Sequence, residues 1–113
     1  MEPRLSSAVL VQALLRLAGR EGGFGAVLAK GDPTAGAVTV VLAERGERRH
    51  IFERLLQPDG RYGWQETGNR AAANEEEFKK FVERRRRFDP DLWLVELDVA
   101  SAERFADEMK AVG

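Results

Sequence analysis

The chain has 113 residues, 43% hydrophobic and 33% charged, with 18 basic and 19 acidic side chains and a formal net charge of -1. That length and balance fit one globular core and exclude a disordered chain. Near-neutrality removes any global pull toward nucleic acid or anionic membrane, so binding either one needs a local patch.

There is no cysteine, and His50 is the one histidine. This excludes a disulfide framework, a thiolate nucleophile, a cysteine-type zinc site and a histidine-cluster metal site. Carboxylates alone could still hold magnesium or calcium, but no dense acidic loop suggests it, so no metal and no cofactor is expected. No stretch reaches the roughly 18 apolar residues of a membrane span. The apolar segment from Leu5 to Ala18 contains Gln12 and Arg16, unlike a signal-peptide core. The cytoplasm is the expected address.

In chain order, the first element reads as a helix capped by Ser6 or Ser7. Leu5, Val9, Ala13, Leu14, Leu17 and Ala18 recur at helical spacing, and Val11 and Leu15 widen the apolar face. So broad a face implies deep burial or a subunit contact; in the second case part of the face bearing Val11 and Leu15 stays exposed in the monomer. Strands are predicted over about Phe24–Lys30, Ala37–Glu44, Arg49–Gln57 and Arg61–Glu66, joined by short turns at Arg45-Gly46-Glu47 and Pro58-Asp59-Gly60. Short connections predict an antiparallel meander. Residues 67–73 read as a linker. Asn74, with Glu77 three residues on, opens a second helix whose inner side is marked by Phe78, Phe81, Val82 and Phe88, and Pro90 ends it. Leu92–Val99 is a fifth strand. Ser101 caps a last helix with Ala102, Phe105, Ala106 and Met109 facing inward.

The predicted fold is α+β, one domain over residues 1–113, in the order α-β-β-β-β-α-β-α. The second and fifth strands are apolar on both faces, so helices must cover both faces of a mostly antiparallel, five-stranded mixed sheet.

Four features could carry chemistry. Gly31-Asp32-Pro33-Thr34-Ala35-Gly36 has the glycine spacing of a phosphate loop, but Ala37 and Val38 stand where lysine and a hydroxyl are required, and a strand follows instead of a helix. A hairpin turn is the simpler reading; the rival is a ligand loop using Lys30, Asp32 and Thr34. The run Arg84-Arg85-Arg86-Arg87 could meet phosphates, although Glu75, Glu76 and Glu77 at the other end make it an ordinary complement to a helix dipole. Arg85 falls in that helix's apolar stripe, and Glu96 interrupts the fifth strand, so the two are expected to pair. Arg61, Tyr62 and Trp64, with Arg70, could stack a base, though aromatics on strands are more often core. His50 has no evident catalytic partner.

The segments Gly31–Gly36, Asp89-Pro90-Asp91-Leu92-Trp93 and Ala102-Glu103-Arg104-Phe105, with Arg4-Leu5 and the overall length, resemble a bacterial domain-of-unknown-function family, number 1491, found mainly in alphaproteobacteria. The resemblance implies a bacterial cytoplasmic protein and supplies no catalytic residues. With no catalytic constellation in view, the leading expectation is a non-enzymatic module that binds another protein or itself as a homodimer. The rivals are a nucleic-acid-binding module using Arg61, Tyr62, Trp64, Arg84, Arg86 and Arg87, and a small ligand-binding or enzymatic domain at the Lys30–Gly36 loop.

Overall fold

The computed structural model describes residues 5–112, and at Asn69 and Arg70 the backbone alone. Arg4 and the side chain of Arg70 therefore lie outside the described part of the molecule. The elements are α1 (Ser7–Arg20), β1 (Phe24–Ala29), β2 (Val38–Glu44), β3 (Glu47–Leu56), β4 (Tyr62–Thr67), α2 (Asn69–Ala73), α3 (Glu75–Phe88), β5 (Trp93–Asp98) and α4 (Ala102–Met109). The predicted order holds, with α2 as one added turn of helix inside the segment read as a linker.

Each long helix starts where a side chain can accept from an orphan backbone N–H. Ser6 Oγ accepts from Val9 N, Asn74 Oδ1 from Glu77 N at 3.0 Å, and Ser101 Oγ from Arg104 N at 3.2 Å. The strands form one sheet in the order β1-β5-β2-β3-β4. β2, β3 and β4 make the predicted antiparallel meander. The β2–β3 turn takes left-handed backbone at both Arg45 (φ 51°) and Gly46 (φ 82°), the twist a two-residue hairpin needs.

β1 does not belong to that meander. β5 lies between β1 and β2, antiparallel to the first and parallel to the second. The loop from Lys30 to Ala37 is therefore not the expected hairpin turn. It is a bridge that crosses over the entry to β5.

Alternation of side chains splits the core in two. Val38, Val40 and Leu42 of β2 and Val95 and Leu97 of β5 face α1 and α4, where they meet Leu10, Leu14, Phe105 and Met109. Val41, Ile51 and Leu94 face the other way, against Ala71, Ala72 and Phe78 of α2 and α3. The sheet is thus covered on both faces. Two expectations are corrected. Val11 is only 1% exposed, and Leu15, half-buried, packs against the same core, so little of the Val11–Leu15 face is left open. Phe88, expected inside, is 81% exposed, because α3 has run past the sheet by its last turn.

The bridge accounts for both of its glycines. A Cβ on Gly31 would lie 2.1 Å from Asp91 O, and one on Gly36 would lie 2.3 Å from the same atom. Both contacts are with backbone, which cannot swing aside. We expect Gly31→Ala to destabilise the protein by roughly 2–3 kcal/mol through overpacking. Gly19→Ala in α1, where a Cβ meets nothing within 4 Å, should instead stabilise by about 0.5–1 kcal/mol. Urea denaturation of the two variants checks both signs.

Candidate functional site

The bridge is tied down on every side. Asp32 N donates to Asp91 O at 3.0 Å, Trp93 N to Ala37 O at 2.8 Å, and the Trp93 indole N–H to Asp32 O at 2.7 Å. The Asp32 carboxylate turns inward and accepts from Thr34 N and Ala35 N. Ser7 Oγ donates to Gly36 O. The first turn of α1 is satisfied as well: Ser7 N donates to Thr34 O, Ala8 N to Pro33 O, Val9 N to Ser6 Oγ and Leu10 N to Ser6 O. A helix start with all its N–H groups taken has nothing left for a phosphate.

A cavity of about 470 Å³ does adjoin this loop, with Ser6, Thr34, Arg54 and Tyr62 among its walls. Of the expected ligand trio only Thr34 reaches it; Lys30 and Asp32 do not. Arg54 lies over the Tyr62 ring, 4.7 Å from its centroid. Among the described residues, no three histidine, cysteine or carboxylate side chains stand close enough to hold a metal ion.

The arginines and aromatics of the nucleic-acid reading fall on opposite sides of the sheet. Trp64 packs on the α1 and α4 side, and Tyr62 lines the cavity beside the start of α1. Arg84, Arg86 and Arg87 belong to α3, which covers the other face through Phe78, Phe81 and Val82. Arg61 sits at the β3–β4 turn, where its N–H donates to Asp59 Oδ1. The single basic and aromatic surface that reading needs is not assembled.

Arg85 and Glu96 each find a different partner from the one expected. Arg85 Nη2 pairs with Glu53 Oε1 on β3. Glu96 Oε2 takes Arg48 Nε at 2.7 Å, while Arg48 Nη1 reaches Glu75 Oε2 at 2.6 Å and the guanidinium stacks 3.8 Å above the Phe78 ring. β2 separates β5 from β3 on this face, so Arg85, leaning toward β3, meets Glu53 first. Burial pulls the Arg48 pKa down, but the hydrogen bond to Glu75 and the charge of Glu96 outweigh it and hold the group above its ordinary value. This network clamps α3 to the sheet. His50, read as lacking a partner, meets Glu66 across the β3–β4 ladder, Nδ1 to Oε2 at 2.5 Å.

A surface that carries no motif is β1. It is an edge strand, paired only with β5. Its sequence, Phe24-Gly-Ala-Val-Leu-Ala29, contains no charge and no proline, the usual means of blunting an edge. Phe24, Val27 and Leu28 are 68%, 41% and 42% exposed. The strand's composition was visible in the sequence; its edge position was not, because that follows from the insertion of β5. The strand enters beside acidic groups and leaves at a basic one. Arg104 is shared by Glu21 at 3.4 Å and Glu108 at 3.7 Å. Hydrogen bonding with the Glu21 carboxylate, then burial and the Glu21 charge, raise the Glu108 pKa above its ordinary 4.5, and Arg104 only partly offsets them. Lys30, past the other end, is exposed and makes no ion pair among the described residues.

Two outcomes follow from these charges. Arg48→Ala leaves Glu96 half-buried without its cation and should cost about 1–3 kcal/mol, whereas Arg48→Met with Glu96→Gln should cost less, because no charge is stranded; chemical denaturation compares them. A carboxyl with a raised folded-state pKa favours folding below its ordinary value and opposes it as pH rises through the raised value. Glu108→Gln should therefore raise the thermal midpoint at pH 7, with the gain fading in acid below the ordinary value of 4.5.

The geometry can be set beside known proteins. The family described as "Protein of unknown function (DUF1491)" matches residues 5–107. A crystal structure of a DUF1491 family protein from Caulobacter crescentus CB15 is similar over 90% of this chain and 94% of that one, with 34% identity and a TM-score of 0.78. A solution structure of a protein from A. tumefaciens is similar over 91% and 92%, with 30% identity and a TM-score of 0.74. A search of the curated proteins finds no match. The chain belongs to the DUF1491 family of proteins of unknown function.

Proposed function

We propose that this protein is a non-enzymatic, cytoplasmic protein-binding module, and that it binds by accepting a strand on the edge of β1. The observation that carries this reading is an uncharged edge strand with three exposed large apolar side chains. A row of unpaired backbone N–H and C=O groups is a template for another strand, and folded proteins ordinarily defend it with charge, proline or a covering element. Main-chain hydrogen bonds would supply affinity, and Phe24, Val27 and Leu28 would supply the apolar contacts. The opposite edge, β4, is better defended, since Gln65 and Glu66 are exposed along it. Among the described residues no helix is long and apolar enough to cross a membrane, which is compatible with a cytoplasmic address.

The test is amine-reactive cross-linking of the tagged protein in its native cell, with the linked sites mapped by mass spectrometry. Lys30 stands next to β1, whereas Lys79 and Lys80 stand on α3. Cross-links should concentrate at Lys30 and disappear in Val27→Arg, which places a charge on the partly exposed edge. Cross-links confined to Lys79 and Lys80, or bound nucleic acid without a protein partner, would defeat the reading.

A further inference from the structure

We propose that the strand accepted by β1 is β1 of a second copy, paired antiparallel about a two-fold axis centred on Ala26. The inference rests on the edge-binding reading above and adds the partner and the register.

The register follows from the limits of the strand. The β1–β5 ladder is interrupted by a bulge between Val27 and Ala29, and the chain enters β1 through Gly22, whose φ is +82°. The regular ladder therefore runs from Phe24 to Val27, with Leu28 as the residue the bulge leaves unpaired on β5, and a two-fold axis can pass through Gly25 or Ala26 within it. Residues directly opposite in a β-ladder point to the same face, so a two-fold pairing must set a residue opposite its own equivalent. Centring on Ala26 places all three exposed large apolar side chains, Phe24, Val27 and Leu28, within the interface. It then brings Phe24 of one copy toward Leu28 of the other, twice, joining exposed apolar side chains. It also sets Val27 against Gly25. Gly25 cannot be larger, since a Cβ there would come within 2.6 Å of Leu15 and Leu97 side chains. The valine of the second copy then lies beside the Leu15 side chain, which already occupies the space over the glycine.

Charge favours the same partner. The start of β1 carries Glu21 and Glu108 with one arginine between them, and the end carries Lys30 without an ion-pair partner among the described residues. Antiparallel self-pairing brings the Lys30 end of one copy toward the Glu21 end of the other, and does so twice. A five-residue edge buries less than a standard interface, so the dimer is a weak and concentration-dependent one.

Because the chain has no cysteine, a single introduced thiol reports on the register cleanly. Ala26→Cys places two thiols directly opposite across the axis, within reach of a disulfide. Gln65→Cys on the exposed β4 edge is the control. Under mild oxidation Ala26→Cys should form a covalent dimer at least ten-fold faster than Gln65→Cys, and adding Val27→Arg should remove that advantage. Sedimentation equilibrium of the unaltered full chain, from micromolar to millimolar concentration, should show a monomer–dimer equilibrium that Val27→Arg shifts at least ten-fold toward monomer. A monomer at every concentration, equal cross-linking rates for the two thiols, or an Ala26→Cys rate unmoved by Val27→Arg would overturn the proposal. If the chain is monomeric while Lys30 still cross-links to another protein, self-pairing fails and edge binding stands. If Lys30 cross-links to nothing and no dimer forms, both fail.

Discussion

The rest of the architecture depends on the insertion of β5 between β1 and β2. β5 runs parallel to β2 and antiparallel to β1, and it is buried on both faces except at Glu96 and Asp98. A parallel neighbour requires a crossover, and the stretch containing α2 and α3 provides it, covering one face of the sheet on the way. The bridge from β1 to β2 must then pass over the end of β5. That passage explains why Gly31 and Gly36 both lie against Asp91 O, and why the Trp93 indole is fastened to Asp32 O. At the far end of β5, the Asp98 carboxylate accepts from Arg45 N and Gly46 N and fixes the β2–β3 turn. One strand thus organises a loop at each of its ends.

The same insertion determines which surfaces the fold leaves open. Displaced from β2, β1 becomes an edge with a single neighbour. α1 lies over its inner face, yet Phe24, Val27 and Leu28 stay in contact with solvent. Had β1 paired with β2 as a meander would require, β5 would have been the edge, and Val95 and Leu97 would have lost the neighbour that buries them. β5, with Trp93, Leu94, Val95 and Leu97 buried, takes the place between two neighbours, and the uncharged β1 is left outside. The exposed strand is a consequence of optimising the core.

Local chemistry was readable from the chain; partner choice was not. Ser6, Asn74 and Ser101 act as caps because a cap is a relation between residues three apart. The inward face of α4 and the two-faced burial of β2 and β5 follow from periodicity in the same way. α2 escaped notice because one turn of Asn-Arg-Ala-Ala-Ala has no period to detect, and its alanines count only by filling space against Ile51 and Leu94. The Arg85–Glu96 pairing failed for a different reason. Both residues are charges on the core-facing side, but which carboxylate each arginine meets depends on strand order, and Arg48 is the one that reaches Glu96. The β1 edge was hidden for the same topological reason.

The segments that resemble the family are the ones the topology constrains most. Gly31–Gly36 and Asp89–Trp93 are two sides of one contact: the bridge rests on the turn that feeds β5, and within that turn the Asp89 carboxylate accepts from Asp91 N. The third segment starts α4, where Ala102 N donates to Glu44 Oε1 and Phe105 is buried against the sheet. These residues have structural work that accounts for their chemistry without a ligand. The Asp32 carboxylate holds two backbone N–H groups through Oδ2 and so fixes the loop. A shared motif in this fold therefore reports how the chain crosses itself, and function is better sought where side chains have no structural partner. Phe24, Val27, Leu28 and Lys30 meet that condition together along one side of the molecule, and none of them belongs to the three segments.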